Sequence, residues 1–182
     1  MLKQTILSIC ILVIFVIPSF CDAYADKQSR IDNIKLAFFL KFPLFVNWEM
    51  SGWDVAKSLR FCFLEGDRLS ERAKKELPVN DTLKTPVEVY ILKSPKEIQT
   101  CHVAYFSADD PELVKPYLDV AQGHAILTIN EDDWFTNNGG VMRFYHDELQ
   151  RLRFEINFDT SRKIGLRLDS RLLRIARIKR SD

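Results

Sequence analysis

The sequence predicts a single-domain α/β sandwich: a mostly parallel sheet, helices on both faces, and an antiparallel C-terminal hairpin. Three observations carry this expectation. Short apolar runs of strand length, at residues 59–64, 86–92, 101–106 and 124–129, alternate with segments of helical spacing. Strands separated by helices pair in parallel through right-handed crossovers. Residues 141–146 and 152–158 then alternate with period two on either side of a polar turn at Asp147-Glu148, and strands joined so closely run antiparallel.

The domain is expected to span residues 26–182, because residues 1–25 read as a signal peptide. Lys3 precedes an apolar run from Ile6 to Ile17, Pro18 ends it, and Ala23-Tyr24-Ala25 offers a small-residue cleavage site before Asp26. A transmembrane anchor is the rival reading, but the run is shorter than the roughly 20 apolar residues a span needs. Cys21 raises a lipid-anchor reading, against which Phe20 stands where a small residue is usual. The expected location is the periplasm, after cleavage.

The elements follow in order. Ile31, Ile34 and Phe38 give residues 29–41 a helical stripe, and Pro43 ends it. Residues 44–48 form an aromatic extended link and residues 51–54 a loop. LRFCFL at 59–64 reads as a buried strand stopped by Glu65-Gly66-Asp67, and residues 68–77 as a polar helix. PVEVYIL at 86–92 enters its strand through a proline. Pro95 suits the first position of a short helix. CHVAYF is the third strand. Residues 109–121 are helical, with Asp109 or Asp110 as cap and Pro116 expected to kink the helix or delay its start. HAILTI is the fourth strand, followed by a helical turn at 131–135 and an Asn-Asn-Gly-Gly loop. After the hairpin, Asp159-Thr160-Ser161 offers cap chemistry for one closing helix that runs to Ile178.

Formal net charge is +1, which gives no reason to expect nucleic-acid or membrane binding. Of four cysteines, Cys10 leaves with the leader and Cys21 is expected to; Cys62 and Cys101 remain. In an oxidising compartment two cysteines read first as one disulfide. A doubly wound strand order would make the first and third strands neighbours and bring Cys62 near Cys101. A redox-responsive bond and two buried thiols stay open as alternatives.

Catalytic patterns are absent. His102, His124 and His146 lack metal-ligand spacing and stand at strand ends. Ser107, Ser161 and Ser170 lack the glycines of a nucleophile elbow. Glu155 and Asp169 could form a carboxylate pair, but Glu155 is better read as bonding a backbone group or an arginine beside the sheet. No cofactor and no metal is expected. Candidate partner contacts are Trp48 and Trp53, and Arg171, Arg174 and Arg177, which repeat every third residue along the closing helix with Lys179 and Arg180 beyond. For the arginines the alternatives are a solvated basic face and contact with an acidic partner or anionic lipid, and for the tryptophans core or rim packing.

Several segments together carry a family likeness: KLAFFLKFPLFVNW, RFCFLEGD, CHVAYFS, HAILTINEDDWF, the Asn-Gly-Gly loop, and RFEINFDTSRKIGLRLDSRLLRIARI. The last is the most specific, through Phe154-Glu155-Ile156-Asn157, Gly165-Leu166, Ser170 and Leu172-Leu173. In their order the chain resembles the YfiR-like periplasmic proteins. The resemblance implies an exported, non-enzymatic regulator that binds the periplasmic domain of an inner-membrane diguanylate cyclase or sensor kinase and restrains cyclic-di-GMP signalling and biofilm output. Cys62 and Cys101 fall on a cysteine pair of that family. Its second pair is absent, since residues 141–154 hold no cysteine. A homodimer and an unknown small-molecule ligand remain open. The competing expectations are a periplasmic solute-binding protein, motivated by the crevice of an α/β sheet, and a secreted hydrolase, motivated only by the versatility of such folds.

Overall fold

The structure is a computed structural model that describes residues 27–48, 57–78, 81–107 and 110–180. The leader expectation for residues 1–25, Cys10, Cys21, the loop at 51–54 and Asp109 lie outside them. The chain divides into two compact units, Met1–Lys35 and Leu36–Asp182. In the first, residues 27–35 are helical, with Gln28 donating to the Asp32 carboxylate one turn on. Helix α1 covers residues 27–41 and so ends in the second unit, to which the sheet belongs.

Seven strands form the main sheet in the order β3-β2-β4-β5-β6-β7-β9. They are β2 (Leu59–Leu64), β3 (Val87–Leu92), β4 (Val103–Tyr105), β5 (Leu127–Asn130), β6 (Met142–His146), β7 (Leu152–Asn157) and β9 (Arg177–Lys179). Every neighbouring pair is parallel except β6 with β7. The first and third strands along the sheet's chain order, β2 and β4, are adjacent, as a doubly wound order requires.

Alternation along each strand makes two cores. Phe61, Phe63, Val103, Tyr105, Leu127, Ile129, Phe144, Phe154 and Ile156 face one side, where they meet Phe39 of α1, Phe42, and Ala73 of α2 (Ser70–Glu76). The Phe39 ring lies 5.1 Å from that of Tyr105 and 6.1 Å from that of Phe144. Cys62, Leu64, Ala104 and Phe106 face the other side. There they meet Ile98 of the 3-10 turn Pro95–Thr100, α3 (Pro111–Ala121) and Phe135 of α4 (Asp133–Asn137). The heavy phenylalanine load is thus interior packing on both sheet faces.

Capping sets several boundaries. The Asp110 carboxylate accepts from the Glu112 N–H, and α3 starts at Pro111. Pro116 therefore does not delay the helix: it sits in the interior on the exposed side, between buried Val114 and Tyr117. Asp132 accepts from the Trp134 N–H and moves the predicted turn at 131–135 to Asp133–Asn137.

The closing segment departs from expectation. In place of one helix it holds α5 (Phe158–Lys163), β8 (Arg167–Leu168), α6 (Ser170–Ile175) and β9. Asn157, rather than Asp159-Thr160-Ser161, caps α5 by accepting from the Thr160 N–H. Gly165 follows at a φ of 78°, a left-handed conformation that ends the helix. Asp169 then caps α6, and extended Ala176 ends it. The link at 44–48 also differs. Phe42–Phe45 is a 3-10 turn, and β1 (Val46–Asn47) pairs antiparallel with β8 in a second, two-stranded sheet. The hairpin is not the sheet edge, because β9 lies parallel to β7 outside it.

Candidate functional site

Doubly wound sheets place ligands where the strand order reverses, beyond the carboxyl ends of the strands. Here that position, between β2 and β4, is bridged by protein. Buried Asp67 follows the end of β2 and accepts from the Leu69 N–H at 2.8 Å. Its other oxygen accepts from the Ser107 N–H beyond β4 at 3.2 Å. Burial pushes the Asp67 carboxyl up, against the bonds from Ser107 and Leu69 that favour its charge. One strand further on, the Tyr105 hydroxyl bonds Glu131. The Asn130 side chain donates to the Phe106 carbonyl and accepts from the Glu131 and Asp132 N–H groups.

A second polar cluster stands where β6, β7 and β9 meet α4. Arg143 and Glu155 are opposed in the hairpin register. The Arg143 guanidinium donates to both Glu155 oxygens, at 2.9 and 3.3 Å, and reaches Asp133 of α4 at 2.7 Å. Thr136 donates to the same carboxylate at 2.9 Å. Burial opposes both charges. The mutual bond outweighs it, lifting Arg143 above the usual arginine value and, with Thr136, holding Glu155 below the usual carboxylate range. Arg177 approaches Glu155 at 3.8 Å and lies over the Tyr145 ring, 4.0 Å from its centroid. Beside this cluster opens a surface cavity of about 500 Å³ lined by Arg143, Tyr145, His146, Asp147, Arg151 and Arg177. Asp147 is committed to its own turn, since it bonds Arg151 and Arg153 and accepts from the Leu149 and Arg151 N–H groups.

Other sequence candidates fall elsewhere. Cys62 and Cys101 form a disulfide with a Cα separation of 6.0 Å. It fastens β2 to the residue that leads into β4, inside the second core. Trp48 is interior at 3% exposure; its indole N–H donates to the Ala125 carbonyl, and its ring meets that of His102 edge-on at 5.9 Å. Trp48 is therefore a packing residue with no surface to offer a partner, and Trp53 lies outside the described residues. His102 accepts from the Arg60 N–H through Nδ1; burial and the Arg60 charge push its imidazole down to about 4. His124 precedes β5 and His146 ends β6. Among the described residues no three His, Cys, Asp or Glu side chains gather as metal ligands. Glu155 serves Arg143, whereas Asp169 serves Arg171 at 2.8 Å, so the two carboxylates do not act together.

The three candidate arginines do not share one helix. Arg171 and Arg174 lie on the outer side of α6, and the Arg171 guanidinium lies 5.2 Å from the Phe45 ring centroid. Arg177 belongs to β9, because α6 ends at Ile175. The i, i+3 spacing that suggested one face stops at extended Ala176.

Comparison with known proteins gives a match to one family model and to solved structures. No curated protein matches the chain. Among solved structures, the ABC domain in complex with L-Trp from Streptococcus pneumonia overlays at a TM-score of 0.49 with 11% identity, covering 68% of this chain and 56% of that one. A conserved domain protein from Vibrio cholerae O1 biovar El Tor overlays at 0.46 with 12% identity, covering 68% and 55%. The chain thus spans little more than half the length of either. The family model described as YfiR/HmsC-like (DUF4154) matches residues 32–177, from the first helix into the last strand. By that match the chain belongs to the YfiR/HmsC-like family.

Proposed function

We propose that this protein is an exported, non-enzymatic regulator, which binds the periplasmic domain of an inner-membrane diguanylate cyclase or sensor kinase and restrains cyclic-di-GMP signalling. The observation that carries this reading is the family match over residues 32–177. Three features support it. The leader-like residues 1–25 suit export with cleavage before Asp26. The Cys62–Cys101 bond suits an oxidising compartment. Glu155, the most buried carboxylate of the polar cluster, is spent on ion pairing, which suits a scaffold better than a catalyst.

The test is a deletion strain in which cyclic-di-GMP is measured, paired with binding of the purified protein to the periplasmic domains of that cell's membrane cyclases. Raised cyclic-di-GMP on deletion, restored by the wild-type gene, is expected. Unchanged cyclic-di-GMP together with no binding overturns the reading.

The cavity beside Tyr145 favours a second reading, a periplasmic small-molecule-binding protein that passes a ligand signal to a membrane partner. A thermal-shift screen with amino acids and nucleotides tests it. A hit that Arg177→Ala abolishes supports this reading, and a screen without hits removes it.

A further inference from the structure

The near-neutral net charge conceals a strong local imbalance. Between residues 162 and 180 eight side chains are Lys or Arg and one, Asp169, is acidic, in a chain of 26 cations and 25 anions. Two of the exposed large apolar side chains also lie in this segment. Ile175 is 69% exposed and Ile178 40%, while Leu44, on the 3-10 turn against which α6 packs, is 52% exposed. Arg174 and Arg180 are exposed and form no ion pair among the described residues.

We propose that this rim, formed by α6, β9 and the adjoining turn at Leu44, docks the protein on an anionic bilayer surface. Aliphatic side chains set among exposed cations are the pattern of interfacial binding: the apolar groups enter the headgroup boundary while the cations meet lipid phosphates. The shape of the rim selects the occupant. β9 is the outermost strand of the sheet, with Arg177 and Lys179 on the Tyr145 side and Ile178 on the other, beside α6. Cations therefore lie on both sides of a projecting edge. A rigid acidic protein would need a matching cleft, whereas the diffuse charge of a deformable headgroup layer meets both sides at once. A three-residue strand bearing charges is also a poor template for an added strand.

The experiment is co-sedimentation of the purified protein with vesicles of mixed phosphatidylglycerol and phosphatidylcholine, against vesicles of phosphatidylcholine alone. Binding to the anionic vesicles is expected, with loss in high salt and little binding to the neutral ones. The double variant Arg174→Glu with Ile175→Ser should weaken binding at least about tenfold. Both side chains are exposed, so the variant should keep the wild-type melting temperature. No vesicle binding, equal binding to neutral vesicles, or wild-type binding by the variant overturns the proposal. So does salt-sensitive binding to polyglutamate without vesicle binding, the result expected of a surface made for acidic protein. The assay contains no signalling protein, so its outcome is independent of the regulatory function proposed above.

Discussion

Arg143 and Glu155 face each other across the β6–β7 hairpin as a two-bonded ion pair, with side-chain exposures of 11% and 7%. Removing one partner strands the other charge in a poorly hydrated place. Arg143→Ala should cost about 3–5 kcal/mol, read by urea denaturation. Replacing both residues by leucine should recover most of that loss, because the desolvation penalty goes with the charges. A double variant as unstable as Arg143→Ala would mean that the pair is not the source of the cost.

The Cys62–Cys101 bond closes 39 residues of chain. Loop-closure entropy gives about 4 kcal/mol for a loop of that size. Cys62→Ser paired with Cys101→Ser, or reduction of the wild-type protein, should therefore lower the guanidinium midpoint substantially. Thiol titration of the native protein should find neither cysteine free. Unchanged denaturation on reduction would show that the bond contributes no stability.

His102 gives a pH signature. Its imidazole titrates near 4 in the folded protein, against an ordinary value of 6.5. Between those values the unfolded chain binds a proton that the native state refuses, so stability is complete above about 6.5 and falls as the pH drops toward 4. The loss is at most about 3 kcal/mol. His102→Gln should flatten this window. Asp67, held above its ordinary value, changes stability in the opposite sense, but it is common to both proteins and cancels in their difference. Equal slopes for wild type and variant between pH 6.5 and 4.5 would refute the assignment.

Gly140 packs its backbone onto the Phe135 ring, where an added Cβ would meet ring carbons at 2.2 Å. Phe135 is fully buried and has no room to swing away. Gly140→Ala should cost about 1–3 kcal/mol by overpacking, measured as a lowered melting temperature. Gly123→Ala, which meets nothing within 4 Å, is the control.

These positions divide into those the sequence pattern could reach and those it could not. Short apolar runs located the strands buried on both faces, and period-two alternation located the hairpin pair, whose outer face is polar. The disulfide followed from two cysteines in an exported chain, and it agreed with a strand order that sets β2 beside β4. The closing segment was misread because Arg171, Arg174 and Arg177 keep helical spacing whether or not the backbone does. The local signals that overrule it are short: Gly165 as a helix stop and Asp169 as a new cap. The role of Glu155 was legible as an arginine partner, but not which arginine. Its place opposite Arg143 depends on the register set by the turn between β6 and β7. Trp48 read as core packing or as a partner anchor, and nothing local could choose between them, because its indole N–H goes to Ala125, 77 residues away.

The position of β9 has a consequence for how the chain matures. The outermost strand of the sheet is also the last of the seven along the chain, and it brings Arg177 to the carboxylate of Glu155. A chain that emerges amino end first can assemble β2 through β7 while the flank of β7 still lies bare. Until residues 177–179 arrive, that flank is an open template for a neighbouring chain at the same stage. The interval before the final strand lands is then one in which the edge of β7 is open to aggregation and a holdase chaperone has it to protect.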